Sequence, residues 1–425
     1  MHDPGYRPRS CLQVSGALIL HLFFVLAAFA LGVVAGRHDW RWPGTWGQEP
    51  PQAREAFRPF WETWRLVHRE YVDQEAVNDE RMAQWAIIGM LASLGDTGHT
   101  TYLTPQEVER MGESLKGELY GVGATITMRK NQVPTIMQTM PNSPARAAGA
   151  RAGDVIVEVD GESVQTMSLQ QLVQHVRGPA GTKVRLKVLR GTPPKTIELN
   201  IERAKVDVAD VTWQLLPDVP LAHIAIRNFG QRTDEQLRDA IKKASNQGVK
   251  GLIVDVRGNP GGLKDQAVRV TSEFLKEGQV VFIEKDGHGN TTPVRAVAGG
   301  VATDIPLCVL IDEGTASSSE IFAGAIQDHK RGKLIGQRTV GTGTVLGEFK
   351  LPDGSAVLLA ISQWLTPQER QIWHKGITPD KKVDLPPNTF IVLPETGVKL
   401  SAKELADSKD TQLLTAIDVL KKALP

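Results

Sequence analysis

The chain has 425 residues, 41% of them hydrophobic and 23% charged, with a formal net charge of +1 at pH 7. That length allows two or three domains, and the composition is that of ordinary globular protein, which excludes a disordered or fibrous chain. A charge so close to zero gives no support for a nucleic-acid partner, and two cysteines, Cys11 and Cys308, suggest neither a disulfide framework nor a metal site.

The first predicted element is a membrane anchor. Residues 10–36 contain no Asp, Glu, Lys or Arg. At about 1.5 Å per residue this is enough helix for a hydrocarbon core of about 30 Å. Arg7 and Arg9 precede the span and Trp40, Trp42 and Trp46 follow it, which favours a cytoplasmic N-terminus and an interfacial aromatic belt on the far side. A cleaved signal peptide ending at Ala28-Phe29-Ala30 is the rival, but apolar character continues through Ala35. Residues 1–40 are therefore expected to hold a cytoplasmic tail and one transmembrane helix, with the bulk of the chain outside the cytoplasm at the cell membrane.

Residues 41–114 read as a linker, rich in Gly and Pro from Gly44 to Pro51, followed by a small helical subdomain. Its apolar residues Phe57, Phe60, Trp61, Trp64, Val67 and Tyr71, then Met82, Trp85, Ile88 and Met90, recur at three- and four-residue steps. An aromatic stripe of this kind is expected to be core. The subdomain closes on the loop Gly95-Asp96-Thr97-Gly98-His99-Thr100. Residues 115–203 alternate strands with recurrent glycines and form a small β domain. From 204 to 390, strand candidates at Leu221–Ile226, Leu252–Val256, Val280–Ile283 and Leu307–Ile311 alternate with helices expected at Thr233–Asn246, Asp265–Lys276 and Ser319–Asp328. Such alternation predicts a sheet covered by helices. Residues 391–425 contain a capping box at Ser401-Ala402-Lys403-Glu404 and predict one or two C-terminal helices packed on the core.

Within the core, the strand Pro306–Ile311 runs through the small-residue turn Thr315-Ala316-Ser317-Ser318-Ser319 into a helix. A serine hydroxyl is thus presented where free helix N–H groups can stabilise developing negative charge. The same residues also match the S-x-x-E capping box, in which Ser317 only caps the helix and Glu320 answers it. A second strand, Leu252–Arg257, leads into Gly258-Asn259-Pro260-Gly261-Gly262, a loop able to turn backbone amides toward an anion. Gly341-Thr342-Gly343-Thr344-Val345, Trp364-Leu365-Thr366-Pro367 and Gly376-Ile377-Thr378-Pro379-Asp380 follow in order.

These ordered motifs resemble the carboxyl-terminal processing, or tail-specific, serine peptidases over nearly everything after Phe57. Gly121-Val122-Gly123-Ala124, Asn142-Ser143-Pro144-Ala145, Gly153-Asp154-Val155-Ile156 and Val159-Asp160-Gly161 resemble a PDZ domain within it. The resemblance implies an α/β multidomain protein: membrane helix, helical subdomain, PDZ-like β domain, and an α/β serine-protease core with a C-terminal helix. It implies that Tyr120, Gly121, Val122 and Gly123 capture the terminal carboxylate of an unstructured tail, with Val173 and Val176 lining the groove. Ser317 becomes the nucleophile of an acyl-enzyme mechanism, Gly261 or Gly262 and Ser318 the oxyanion donors, and Asp328 a supporting acidic residue. No metal or cofactor is implied.

One departure matters. The family's G-K-G-T-V-Q motif falls on Gly341-Thr342-Gly343-Thr344-Val345-Leu346, so the lysine that serves as general base is Thr342 and the glutamine orienting it is Leu346. A threonine hydroxyl does not titrate near neutral pH. His99 is the substitute base best suited by chemistry, since more distant relatives of the tricorn type use a histidine upstream of their PDZ domain. Lys264, Lys375, His374 and Lys330 read as solvated charges. The expected function is a membrane-anchored serine endopeptidase acting on C-terminal tails, and the alternative is a catalytically inactive tail-binding adaptor.

Overall fold

A computed structural model of the chain describes residues 53–96, 99–116, 118–129, 133–140, 142–386, 389, 391–394 and 400–424. The anchor expected at residues 10–36 and the linker at Gly44–Pro51 lie outside these. Among the described residues no helix is long and apolar enough to cross a membrane. The chain divides into two compact units, Met1–Ala83 and Gln84–Pro425.

In the first unit, α1 (Arg54–Glu70) carries the aromatic stripe, and the structure corrects the expectation that this stripe is core. None of its residues is buried, and Phe57 and Trp61 are each 41% exposed. An amphipathic face becomes core only where enough chain surrounds it, and the described part of this unit is little more than one helix and a turn. The rings instead pack on one another, with Phe60 and Trp61 centroids 5.0 Å apart.

Helix α2 (Asp79–Ala92), β1 (Thr101–Leu103), α3 (Pro105–Leu115) and β2 (Glu118–Gly121) follow in the chain. The small β domain is built from β3 (Ala124–Arg129), β4 (Val133–Thr139), the short α4 (Pro144–Ala147), β5 (Val155–Val159), β6 (Glu162–Ser163), α5 (Leu169–Val176), β7 (Lys183–Arg190) and β8 (Lys195–Glu202). Its antiparallel sheet has the order β3-β4-β5-β7-β8, which leaves β3 at an edge. Alternation in β7 turns Val184, Leu186 and Val188 inward onto Ile136, Ile156 and Leu172. Val176 is only 4% exposed and belongs to this core, so it does not line a groove, whereas Val173 stays half-buried. The difference is a matter of helix phase: three residues along a helix is a rotation of about 300°, enough to carry one valine inward and leave the other at the rim.

Strand β9 (Ala204–Asp207) pairs with β2 and leads into the main sheet. That sheet has the order β10 (Val211–Leu215), β11 (Leu221–Ile226), β12 (Gly251–Asp255), β15 (Leu307–Ile311), β16 (Lys333–Gly336) and β19 (Lys381–Lys382); all neighbours are parallel except β10 and β11. Every residue of β11, β12 and β15 is buried, as largely apolar strands covered on both faces should be, His223 and Asp255 being buried against each other. On one face Leu252, Val254, Val309 and Ile311 share a core with α6 (Thr233–Asn246), α7 (Lys264–Ser272) and α8 (Ser318–Asp328). On the other, Ile253, Cys308, Leu310 and Ile335 meet Leu413, Ile417 and Leu420 of α10 (Thr411–Ala423), which follows the short α9 (Ala402–Asp407). Helix α7 stops at Ser272, short of the expected Lys276, because a loop crosses its end: a Cβ on Gly300 would lie 2.3 Å from the Ser272 carbonyl oxygen, and Ala302 N–H donates to Glu273 O. A second, antiparallel sheet holds β13 (Val280–Asp286), β14 (Thr291–Arg295), β17 (Thr344–Lys350) and β18 (Ala356–Leu365), with β1 at its edge. The loops leaving the C-terminal ends of the parallel strands β12 and β15 meet, the usual place for a site in an open α/β sheet.

Candidate active site

The two loops are fastened through backbone and hydroxyl groups. Thr315 Oγ1 donates to Val256 O at 2.9 Å and Ala316 N to Asn259 O at 3.0 Å. Ser318 Oγ donates to Gly262 O at 2.9 Å, and Ser319 Oγ to Asn259 O at 3.2 Å. Gly261 has φ +102°, and a Cβ there would lie 2.6 Å from Ser317 Cβ. Only glycine lets the loops approach this closely.

Between them Ser317 sits at φ 55°, ψ −121°, immediately before α8. A residue bearing a Cβ pays about 1–3 kcal/mol for such a conformation, and the cost is met here by the surrounding hydrogen bonds. The capping-box alternative is met on the Glu320 side, whose carboxylate answers the turn, and Glu320 N–H donates to the carbonyl of Ser317 at 2.7 Å. The Ser317 N–H is what the turn holds, donating to Glu320 Oε2 at 3.0 Å and to Thr342 Oγ1 at 2.5 Å. The N–H groups of Gly262 and Ser318 have no acceptor among the described residues. Gly261, also expected as an oxyanion donor, is committed elsewhere: the Asn259 side chain folds over its own loop and takes the Gly261 N–H at 2.8 Å.

Glu320 is fully buried and is the hub of the site. Oε1 accepts from Thr339 Oγ1 at 2.5 Å and Gly341 N at 2.7 Å; Oε2 accepts from Ser317 N, from Thr342 N at 2.9 Å and from Thr342 Oγ1. Five donors saturate the carboxylate. Thr342 therefore stands beside Ser317, where the motif alignment sets the family lysine, and supplies a hydroxyl already committed to Glu320.

Among the described residues none of the candidate bases hydrogen-bonds to Ser317. His99 Nδ1 lies 3.4 Å from Asp96 Oδ1, and no hydrogen bond among the described residues joins His99 to Ser317. Its loop is tied to the second sheet and to Trp373: Ala360 N donates to Thr100 Oγ1 at 3.1 Å, and Trp373 Nε1 to Asp96 Oδ1 at 3.3 Å. Burial opposes ionisation of Asp96, but hydrogen bonds from Thr100, Trp373 and His99 together hold its carboxyl below the ordinary value. Lys264 Nζ pairs with Glu284 at 3.2 Å, Lys330 and Lys375 are exposed, and His374 stacks on Trp373 at 4.5 Å. Asp328 accepts from Gln368 N at 2.9 Å and pairs with Arg370, tying the end of α8 to the Thr366–Arg370 turn.

In the β domain, Tyr120 and Gly121 belong to β2, paired with Lys205 and Ala204, while Val122 and Gly123 continue beyond it. Val122 O and Gly123 O accept from Ala145 N and Met140 N, and the N–H groups of Val122 and Gly123 have no acceptor among the described residues. These free amides sit beside the open edge of β3. Arg177, not singled out from the sequence, flanks the loop: its Cα and Cγ lie 3.6 Å from the Cβ position of Gly121. Burial, reinforced by Arg110, lowers the Arg177 pKa. Asp255 and Arg257 were also missed, although an Asp-x-Arg ending an apolar strand is itself a signal, because charge at such a place is buried.

Comparison with known proteins agrees with this geometry. Residues 220–383 match Peptidase family S41 and residues 135–190 match the PDZ domain family. A CtpA-like serine protease of Staphylococcus saprophyticus is 33% identical over 370 residues, covering 87% of this chain and 73% of that protein. One of Staphylococcus haemolyticus is 35% identical over 324 residues, covering 76% of this chain and 64% of that protein. Among solved structures, the photosystem II D1 C-terminal processing protease is 31% identical with a TM-score of 0.50, over 81% of this chain and 96% of its own. The chain belongs to the CtpA-like, C-terminal processing serine peptidases of family S41.

Proposed function

We propose that this protein is anchored in the membrane by residues 10–36, takes unstructured C-terminal tails on its PDZ domain and cleaves them on Ser317 outside the cytoplasm. A tail would add as a strand to the open edge of β3, its carboxylate taken by the amides of Val122 and Gly123 with Arg177 nearby. Ser317 Oγ would then add to a peptide carbonyl, the oxyanion resting on the amides of Gly262 and Ser318. Collapse breaks the C–N bond, the amine leaves with the proton taken from Ser317, and water hydrolyses the acyl-enzyme. The single observation carrying this reading is Ser317: a strained backbone at a helix N-terminus with two free amides beside it.

A second reading, a tail-binding adaptor without hydrolysis, draws support from one specific observation. No described side chain accepts a hydrogen bond from Ser317 Oγ, and the group at the lysine position is a hydroxyl bound to a saturated carboxylate.

One experiment separates them. The full chain is treated with a fluorophosphonate and with an unstructured peptide ending in apolar residues. The peptidase reading expects labelling and cleavage that vanish in Ser317→Ala, with peptide binding retained. Cleavage that survives Ser317→Ala refutes the nucleophile. Binding without cleavage in the parent chain, with cleavage gained in Thr342→Lys combined with Leu346→Gln, establishes the adaptor.

A further inference from the structure

We propose that Asp410, at the head of the C-terminal helix, is a positioning residue for the anion-binding loop and acts on it through Arg257. The inference rests on the reading of Gly262 as an oxyanion donor to Ser317. Arg257 is the residue at which β12 gives way to that loop, and its side chain is 1% exposed. All five of its guanidinium N–H groups have acceptors. Nε and Nη2 donate to Asp255 Oδ1 and Oδ2 at 2.9 and 2.7 Å; Nη1 and Nη2 donate to Asp410 Oδ1 and Oδ2 at 2.9 and 3.0 Å; Nη1 also donates to Gln412 Oε1 at 3.1 Å. The guanidinium is thus clamped between two carboxylates, one on its own strand and one 153 residues away.

Each carboxylate is fixed in turn. Asp255 also accepts Arg257 N at 3.0 Å and faces His223 Nε2 at 3.0 Å, so β11 and β12 both brace it. Asp410 caps α10 by accepting Leu413 N at 3.0 Å and takes Val392 N at 2.9 Å. Burial opposes charge on both Asp255 and Arg257, yet their contact leaves the carboxyl far below and the guanidinium above its ordinary value.

A buried ionic network adds little net stability over an apolar one of equal volume. Helix α10 already has Leu413, Ile417 and Leu420 to hold it on the sheet. What the network adds is direction. It fixes the Arg257 main chain at the root of a loop whose next residue, Gly258, has φ +65° and donates its N–H to Asp312 Oδ1 at 2.8 Å. Without Asp410, three buried guanidinium bonds shrink to the one with Gln412 on that side. The side chain is then drawn toward water and the loop root follows, moving the Gly262 amide away from Ser317.

The test uses the full chain. In Asp410→Asn, fluorophosphonate acylation of Ser317 should slow by about tenfold or more, as loss of an oxyanion contact does, while tail-peptide affinity is unchanged. Backbone amides of residues 257–263 should exchange hydrogen about tenfold faster, with those of β7 and β8 unaffected. Asp410→Glu, which keeps the charge, should recover part of both. Folded Asp410→Asn protein with loop exchange and acylation within about twofold of the parent overturns the proposal. Should Asp410→Asn fail to fold, Gln412→Leu, which removes one acceptor and no charge, must still speed exchange in 257–263, and no change there overturns it. A parent chain that is never acylated at Ser317 refutes the peptidase reading instead, and the exchange comparison still decides the clamp.

Discussion

Glu320→Gln is the substitution that probes the site most directly, because it keeps shape and removes only acceptor capacity. The carboxylate receives three N–H groups, from Ser317, Gly341 and Thr342, and two hydroxyls, from Thr339 and Thr342. An amide must turn its NH2 toward one side. Facing the Thr339 and Gly341 side, it leaves one N–H without an acceptor, since the threonine hydroxyl can rotate to accept and Gly341 N–H cannot. Facing the other side, it also orphans one, Thr342 N–H, since Ser317 N–H keeps its bond to Thr342 Oγ1. Either orientation therefore strands one N–H. One orphaned buried donor and the loss of charge assistance in the remaining bonds together cost about 2–4 kcal/mol. Glu320→Ala removes the acceptor of all five donors, of which only Ser317 N–H keeps another in Thr342 Oγ1, and costs about 4 kcal/mol or more. By scanning calorimetry, Glu320→Gln should lower the transition of the protease core by about 4–12 °C, at a few degrees per kcal/mol for a unit of this size. Thr342→Val, which removes a single hydroxyl from the hub, should fall between the parent and Glu320→Gln. A Glu320→Gln protein within about 0.5 kcal/mol of the parent would mean that the buried carboxylate is not what organises the turn.

Two further expectations concern other parts of the chain. Burial raises the Asp210 pKa from 3.8 to about 6, despite a hydrogen bond from Thr233 Oγ1 at 3.0 Å. Between these values the folded state holds a proton that the unfolded state has lost, so this group's contribution to stability falls as pH rises through the window. Asp210→Asn should therefore stabilise the protein by about 1–2 kcal/mol at pH 8 and hardly at all at pH 4; equal effects at both pH values defeat the argument. For the anchor, the full chain should stay with the membrane through a high-salt wash, with the domains beyond Trp40 open to protease from the outer side, and a shortened chain released in soluble form would indicate a cleaved signal.

The fold was legible where burial is complete. Leu221–Ile226 and Leu307–Ile311 coincide with β11 and β15 because a strand covered on both faces is nearly all apolar, broken in β11 only by His223, and Pro220 and Pro306 mark where each begins. Helix α8 was legible for a different reason: its small-residue turn and apolar spacing are both local. What failed depended on partners. The α1 stripe has the periodicity of a core helix, but periodicity records which face is apolar and says nothing of what covers it. Strands β14 and β17 were not foreseen; β14 is largely exposed and has no apolar run to announce it.

The site divides in the same way. Ser317 and the glycine loop could be found from sequence because their chemistry is set within a few residues of each. The role of Glu320 could not, since from Ser317-Ser318-Ser319-Glu320 it looks like half of a cap, and its other donors arrive from Thr339, Gly341 and Thr342 about twenty residues on. Arg257 and Asp410 were hidden by their separation along the chain. His99 was chosen for its chemistry, and its loop is tied to β18 and to Trp373, whose backbone abuts Gly343 beside Thr342.

This geometry also fixes what a restored lysine can do. An amine at residue 342 enters a space where the present hydroxyl touches both Ser317 N and Glu320 Oε2. Beside a buried carboxylate, opposite charge favours the ammonium, which is the form unable to accept a proton from serine. Thr342→Lys alone should therefore leave cleavage weak at neutral pH and raise it as pH climbs, as the amine loses its proton. Leu346→Gln adds a polar group on β17, just after residue 342, at a residue now 38% exposed, to orient the amine. Rates measured from pH 7 to 10 should rise in Thr342→Lys, and the double variant should exceed it at every pH. A double variant no faster than Thr342→Lys removes the orienting role of residue 346. A flat profile in both shows that the serine proton goes to some group other than the restored lysine.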